Sequence, residues 1–201
     1  MTRSLLMPLV FLAVVGCASA PQREANTEKP EYDWQVSIGI SETQYNNDWK
    51  PVEDISMAQF EFAAVAHESG LGWEIASAGG EDDTFVSATG TRLEVSHGLL
   101  GGGLRYTWVA DRVRPYIGAG AEFDFAEIEV STGVGRITDD DMTAGLYVHL
   151  GVAVDIDSEG RFFAGVDGRY GGIGSEHDFD DVGLELDSNY TRVTGFFGFR
   201  F

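Results

Sequence analysis

The sequence predicts an all-β protein, an eight-stranded antiparallel up-and-down β-barrel, from three observations. Side chains alternate between apolar and polar from Trp34 to the end of the chain, which is the period of a β-strand. The connections between the alternating segments are short and long in turn, as in barrels that cross a membrane. Almost all charged residues within these segments fall on one of the two faces that the alternation defines.

The turns and loops divide the chain into eight segments. Short turns are predicted near 69, 111 and 158, and longer loops over 44–56, 79–91, 129–141 and 173–188. The apolar parity of the fourth segment changes between Val95 and Leu104, and we expect a β-bulge in the glycine-rich stretch between them. A chain of 201 residues has room for a single domain of this kind.

The apolar face of the segments is expected to touch lipid, which makes the predicted barrel transmembrane. This face is nearly free of charge, and one Arg or Lys at the bilayer midplane costs about 2–4 kcal/mol. The polar face is expected to line the lumen, where its charges pair: Glu61, Glu74, Arg105, Glu122, Asp124, Asp167, Arg169, Arg192 and Arg200. Five aromatic residues at the turn ends of strands are expected to form a membrane girdle: Trp34, Trp73, Trp108, Phe162 and Phe201.

The N-terminus predicts an export signal. Arg3 precedes an apolar run over 5–15, which is too short to span a bilayer, and Cys17 follows directly. We therefore predict a signal peptide over 1–16, a flexible tether over 17–33 and the barrel over 34–201. Cleavage after Ala20 is the alternative. With one cysteine in the chain, an intramolecular disulfide is excluded.

Two stretches resemble known families. Val14-Val15-Gly16-Cys17 resembles the lipobox of bacterial lipoproteins, which implies that Cys17 carries lipid. The stretches 103–108 and 114–120 resemble the strand-turn-strand repeat of the OmpA-type and related eight-stranded outer-membrane barrels, and the ending 195–201 resembles the signal read by the barrel-assembly machinery. This resemblance covers residues 34–201. It implies the cell outer membrane as the location, with both termini in the periplasm.

The composition and the resemblance together define the expected partners. A net charge of -20 disfavours nucleic acid. Outer-membrane lipid and lipopolysaccharide are the expected surroundings, the barrel-assembly machinery the partner during biogenesis, and a monomer the expected state. The predicted long loops are acidic and could hold divalent cations, although solvated loops explain them better.

Candidate chemistry is sparse, and no catalytic residue, metal site or cofactor is assigned. His177-Asp178 with Glu81-Asp82-Asp83 could mimic a surface protease, and Ser96-His97 could form a nucleophile and base. Neither set completes an enzyme motif, so we expect a non-enzymatic barrel with a structural or surface-interaction role. The alternatives are a narrow cation-preferring pore, a surface hydrolase, and a soluble lipid-anchored barrel that binds an apolar ligand.

Overall fold

The computed structural model describes residues 32–45, 49, 54–86, 90–108, 110, 112–133, 135–179 and 184–201. The predicted signal peptide, Cys17 and all but the last residues of the tether lie outside these ranges. Within them no helix has the length and apolar composition needed to cross a membrane. The described residues form ten strands: β1 (Tyr32–Tyr45), β2 (Asp54–Ala66), β3 (Leu71–Val86), β4 (Thr91–Thr107), β5 (Val113–Thr132), β6 (Gly135–Asp155), β7 (Phe162–Ile173), β8 (Glu176–Phe179), β9 (Leu184–Asp187) and β10 (Tyr190–Arg200).

Eight of these strands close into a barrel, in the order β1-β10-β7-β6-β5-β4-β3-β2. Every neighbouring pair is antiparallel, including β1 with β10, which joins the two ends of the sheet. The predicted fold of eight antiparallel up-and-down strands is therefore confirmed. β8 and β9 form a separate two-stranded hairpin between β7 and β10.

The two ends of the barrel differ in what they carry, although their connections overlap in length: six residues separate β6 from β7 at one end, and two separate β5 from β6 at the other. At the turn end, short segments join β2 to β3, β4 to β5 and β6 to β7. The turn between β2 and β3 requires a glycine at position 70. It has a φ of 71°, and a Cβ atom there would lie 2.3 Å from the carbonyl oxygen of Thr107. The opposite end, which we call the loop end, carries the β8–β9 hairpin.

Strands extend into three of the regions predicted as long loops. β3 and β4 continue to Val86 and from Thr91, and β5 and β6 continue to Thr132 and from Gly135. The third region contains the β8–β9 hairpin. The predicted loops over 79–91, 129–141 and 173–188 were therefore wrong over most of their length, because polar and acidic residues there belong to paired strands, with acids such as Glu81, Glu129 and Asp140 on the outer face. β1 also begins at Tyr32, two residues before the predicted start.

The predicted bulge in β4 was also wrong. β4 pairs with β3 and with β5 without a register shift from residue 92 to residue 106. Odd-numbered residues of β4 face inward throughout, so Val95 and Leu99 are apolar residues in the interior. The one recorded shift among the barrel pairs of the described residues lies between β6 and β7, at Leu146 and Val148.

The apolar residues of β4 change from inward-facing to outward-facing positions because the two surfaces of the barrel exchange character along its axis. Toward one end the outer surface is apolar and the interior is polar, and toward the other end the reverse holds. On β5, the outward residues pass from Phe125 to Glu127 while the inward residues pass from Asp124 to Ala126. The turn-end part has exposed apolar side chains around a polar interior, and we call its outer surface the apolar belt: Trp34, Ile38, Ile40, Phe60, Trp73, Ile75, Leu100, Leu104, Ile117, Phe123, Phe125, Met142, Leu146, Val148, Leu150, Val154, Val166, Val193 and Phe197.

The loop-end part has the opposite arrangement, which is that of a water-soluble sheet. Its interior is an apolar core: Tyr45, Trp49, Ile55, Met57, Ala78, Val95, Leu99, Ala126, Ile128, Phe179, Leu186 and Tyr190. Its outer surface carries outward-facing acids that we call the acidic band: Glu42, Asp54, Glu81, Asp83, Glu94, Glu127, Glu129 and Asp140. The two parts meet on β1 to β6, each of which carries apolar-belt residues followed toward the loop end by acidic-band residues.

Candidate functional site

The turn-end interior holds the charged residues that the sequence singled out for the lumen. All nine are buried, with exposures between 1% and 7%. Each residue is an even number of positions from other inward-facing residues of its strand, because successive side chains of a strand point to opposite faces. Buried charges need partners, since an isolated ion in a low-dielectric interior is costly.

Arg105 of β4 is held by two carboxylates. Its Nη2 lies 2.5 Å from Oε1 of Glu61, and its Nε lies 3.0 Å from Oε2 of Glu74. The guanidinium also lies 4.1 Å from the ring centroid of Tyr116, which places a cation over an aromatic face. The three charged groups therefore form one packed unit at the centre of the barrel.

Glu74 continues this unit across the barrel to β6 and β7. Tyr147 donates a 2.9 Å hydrogen bond to Oε1 of Glu74, and Nε2 of His149 lies 3.0 Å from the same oxygen. Nδ1 of His149 lies 2.9 Å from Oδ2 of Asp167. A ring with a carboxylate at both nitrogens is satisfied fully when both nitrogens carry protons.

Glu122 of β5 accepts hydrogen bonds from residues of β7 and β10 across the interior of the barrel. Tyr190 donates a hydrogen bond of 2.7 Å to Oε2, and the backbone N–H of Gly172 donates one of 2.9 Å to Oε1. Arg169 lies 3.8 Å from Oε2 through its Nη1. Arg192, whose cross-strand neighbour is Arg169, lies 5.5 Å from the ring centroid of Tyr190.

Sequence reasoning missed a second ionic group at the turn end. Asp155 of β6 accepts hydrogen bonds from Arg200 at 2.8 Å and from Arg114 at 3.2 Å. Arg114 also contacts Asp33 at 3.1 Å. Inward parity could have identified Arg114 and Asp155, because they are in phase with Tyr116 and His149 on their own strands.

The interior is filled rather than open. Inward-facing glycines face large side chains, so that a Cβ on Gly165 would lie 2.3 Å from the ring of Phe196. The cavity found at the turn end has a volume of about 10 Å³ and is lined by residues including Gln35, Arg105 and Arg200. This is the room of about one water molecule.

The loop-end mouth contains the residues considered for hydrolysis. Nε2 of His177 lies 3.3 Å from Oδ2 of Asp124, and its Nδ1 lies 3.1 Å from Oδ2 of Asp141. Oδ1 of Asp124 lies 3.3 Å from Nδ1 of His97. The ring of Trp49 covers His97 at a centroid distance of 4.6 Å. Both imidazoles are buried, and each contacts Asp124.

The proposed nucleophile and base are on opposite sides of the sheet. Ser96 and His97 are consecutive residues of β4, and His97 faces inward with an exposure of 4%. Asp83 is paired with Arg92 at 3.0 Å on the outer surface. Within the part of the chain that the structure describes, no group of three or more His, Cys, Asp and Glu residues could hold a metal ion.

The five predicted girdle residues lie on the outer surface at the turn end, with exposures between 36% and 62%. Trp34 and Trp73 meet edge to face with centroids 5.8 Å apart, and Phe62 packs against both. On the neighbouring strand β10, Phe199 stacks on Phe201 and lies tilted against Phe162 of β7, with centroids 5.2 Å apart. Aromatic rings are therefore concentrated at this edge of the belt.

Comparison with known proteins identifies the architecture. No protein-family model and no curated protein matches the sequence. Among solved structures, Ail, the attachment invasion locus protein of Yersinia pestis, solved with the heparin analogue sucrose octasulfate, is 14% identical, with a TM-score of 0.61 over 86% of this chain and 100% of that one.

Two other solved structures have a similar fold. The outer-membrane protein OprG of Pseudomonas aeruginosa is 11% identical, with a TM-score of 0.60 over 84% of this chain and 95% of that one. Neisserial surface protein A is 14% identical, with a TM-score of 0.51 over 86% and 98%. The likeness at these identities is one of fold, and the chain has the fold of the small eight-stranded outer-membrane β-barrels.

Proposed function

We propose that this chain is a non-enzymatic outer-membrane protein that holds an acidic surface above the bilayer for structural or surface-interaction purposes. The observation that carries the proposal is the reversal of polarity along the barrel. A sheet with apolar residues outside and ion pairs inside suits lipid, because acyl chains cannot solvate charge. A sheet with acids outside and an apolar core suits water.

The height of the apolar belt supports insertion. On β6 the belt runs from Met142 to Val154. At about 3.3 Å per residue and a tilt of about 40°, this length spans about 30 Å, close to the lipid-facing band of about 25 Å in known barrels. The acidic band begins directly beyond the belt, where the environment changes to water.

We further propose that the loop end faces outward and the turn end faces the periplasm. Short turns on the periplasmic side and longer segments outside are the rule for bacterial outer-membrane barrels. Both termini are then periplasmic, and a lipid on Cys17 would anchor the tether in the inner leaflet. The alternating apolar residues over 195–201 would serve as part of the signal for the barrel-assembly machinery.

Lipopolysaccharide is the neighbour we propose for the acidic band. Carboxylates just above the belt stand at the level of its phosphates, and divalent cations could bridge the two through oxygen ligands. The ligand of Ail does not transfer readily, because sucrose octasulfate is a polyanion and this outer surface is acidic. A cation-bridged or cationic partner fits this surface better.

Two measurements test the proposed function. The full chain, expressed with its leader, should be recovered with the outer membrane and should migrate on a detergent gel at a position that changes on heating. Protease added to intact cells should cleave near the loop-end connections and leave the turn-end connections intact. Recovery as a folded, detergent-free soluble protein, or cleavage at the turn end in intact cells, would overturn the proposal.

A further inference from the structure

The cavity at the turn end is lined mainly by cations. It has a volume of about 10 Å³, and four charged residues line it: Arg105, Arg114, Arg200 and Glu61. Glu61 already accepts a hydrogen bond from Arg105. Asp33 and Asp155, which pair with Arg114 and Arg200, do not line the cavity. The charge that faces the cavity is therefore mainly positive.

Arg200 has more hydrogen-bond donors than acceptors around it. Its side chain has an exposure of 6%. Its Nη1 donates to Oδ1 of Asp155 at 2.8 Å and to the carbonyl oxygen of Gly160 at 2.6 Å. Among the described residues, Nε and Nη2 of Arg200 have no hydrogen-bond partner, and neither has Nε of Arg114. The lining of the cavity therefore offers buried N–H donors that lack an acceptor.

Unpaired donors on a buried guanidinium are unfavourable, because the group loses its hydration and forms no bond in return. An arginine cannot remove such a donor by releasing a proton, since its guanidinium stays charged in proteins. An acceptor inside the cavity restores the lost bonds, and a negatively charged acceptor binds a guanidinium more strongly than a neutral one. The cavity has room for one water molecule or one single-atom anion, and it is too small for a bulky organic anion.

We propose that the turn-end cavity binds one small monovalent anion, such as chloride, between Arg200 and Gln35. Gln35 is the cross-strand neighbour of Arg200 and lines the same cavity, and its side-chain amide can donate a further hydrogen bond. The anion supplies the acceptor that Arg200 lacks and balances the positive lining, so the folded barrel is more stable when it is bound. The site belongs to the turn-end interior and does not depend on the proposed surface role.

The effect of chloride on stability tests the site in the full chain, folded in micelles of an uncharged detergent. Sodium gluconate is replaced stepwise by sodium chloride, so that the ionic strength and the screening of surface charge stay constant. The denaturant midpoint should rise with the chloride concentration. When chloride reaches about 100 times its dissociation constant, the ratio of folded to unfolded protein should be about 100-fold higher. A midpoint independent of chloride would show that the cavity takes only water and would overturn the proposal.

Two variants and a matched control separate the site from general salt effects. Arg200→Gln removes the guanidinium and should lose the dependence on chloride. Gln35→Glu places a carboxylate directly across the sheet from Arg200, where it supplies the missing acceptor. This variant should also lose the dependence and should be at least as stable in gluconate as the natural chain. Arg161→Gln removes a cation that is 63% exposed at the same end and should keep the full dependence.

The variants and a crystal decide the assignment. If Arg200→Gln or Gln35→Glu keeps the chloride dependence, or if Arg161→Gln loses it, the anion acts elsewhere and the proposal is wrong. Should Arg200→Gln fail to show heat-modifiable migration, Gln35→Glu still gives the test, because it retains the arginine. Crystals of the natural chain grown in bromide should show an anomalous-scattering peak in the cavity beside Arg200, and a cavity without that peak would also refute the site.

Discussion

Gly118 of β5 and His149 of β6 are paired directly across the sheet, and a Cβ on the glycine would lie 2.0 Å from Nε2 of the imidazole. The ring occupies the space that the missing side chain leaves. That space brings His149 within reach of Glu74 and Asp167 on two other strands. The glycine is thus part of the ionic unit although it carries no polar group.

We expect Gly118→Ala to destabilise the barrel by about 1–3 kcal/mol, the usual cost of overpacking a filled interior. The added methyl group displaces His149 from its carboxylates. Gly195→Ala is the matched control, because nothing lies within 4 Å of a Cβ there. Denaturant unfolding in micelles, followed by fluorescence, measures both. Equal midpoints for the two variants would contradict the packing that the structure shows.

Glu74→Gln should cost about 3–5 kcal/mol, because Arg105 and His149 each lose one of their two carboxylate partners in a buried site. Arg105, His149 and Tyr147 all depend on this carboxylate. Glu42→Gln, on the exposed side of β1, should change the free energy of unfolding by about 0.5 kcal/mol or less. The same unfolding assay applies, and a small effect at Glu74 would show that the interior is wetter than its packing indicates.

Leu150→Arg should impair insertion, since an arginine near the middle of the belt costs about 2–4 kcal/mol in lipid. Leu150 is 67% exposed and lies among apolar neighbours. Gln44→Arg places the same side chain on the exposed loop end of β1 and should insert normally. The measurement is the fraction folded into phospholipid vesicles. Comparable folding of both variants would argue that the belt does not contact acyl chains.

The turn between β6 and β7 should loosen in acid. The backbone N–H of Phe162 donates a 2.8 Å hydrogen bond to Oδ1 of Asp157, and this bond holds the pKa of the carboxyl below its usual value. A lowered pKa means that the stabilisation is complete above the unfolded-state pKa and is lost as the pH falls through the folded-state pKa. After correction for the intrinsic exchange rate, the opening constant at the Phe162 amide should therefore increase in acid, and Asp157→Asn should remove that dependence.

Period-two alternation was enough to predict the eight strands and to select the interior charges. Glu74 and Arg105 could be assigned to one face because the alternation is unbroken through β3 and the turn-end part of β4. It could not show which acid contacts which arginine, because the partners come from strands far apart in the chain. Glu61 and Arg105, for example, are 44 residues apart.

The alternation led to wrong predictions at the boundary between the apolar belt and the acidic band, where the outer surface changes from apolar to acidic. Val95 and Leu104 lie on opposite faces of one regular strand, and a single apolar face was assumed for both. The inference of a bulge followed from that assumption. Acidic residues such as Glu81 and Asp140 were assigned to loops for the same reason, because a strand in water can carry charge on its outer face. The change of environment could be recognised in the sequence. On neighbouring strands, the apolar residues move from the outward-facing to the inward-facing positions at residues that pair with each other.

The boundary between the apolar belt and the acidic band has a consequence for how deeply the barrel would insert into a lipid layer. If the barrel rose by two residues, Phe125 would be left in water, and if it sank by two, Glu127 would enter hydrocarbon. Either displacement is opposed on β1 to β6 at once, so the proposed depth of insertion is set around most of the circumference. We therefore expect a lipid layer thinner or thicker than the apolar belt to deform where it meets this protein, in preference to a change in the depth of the barrel.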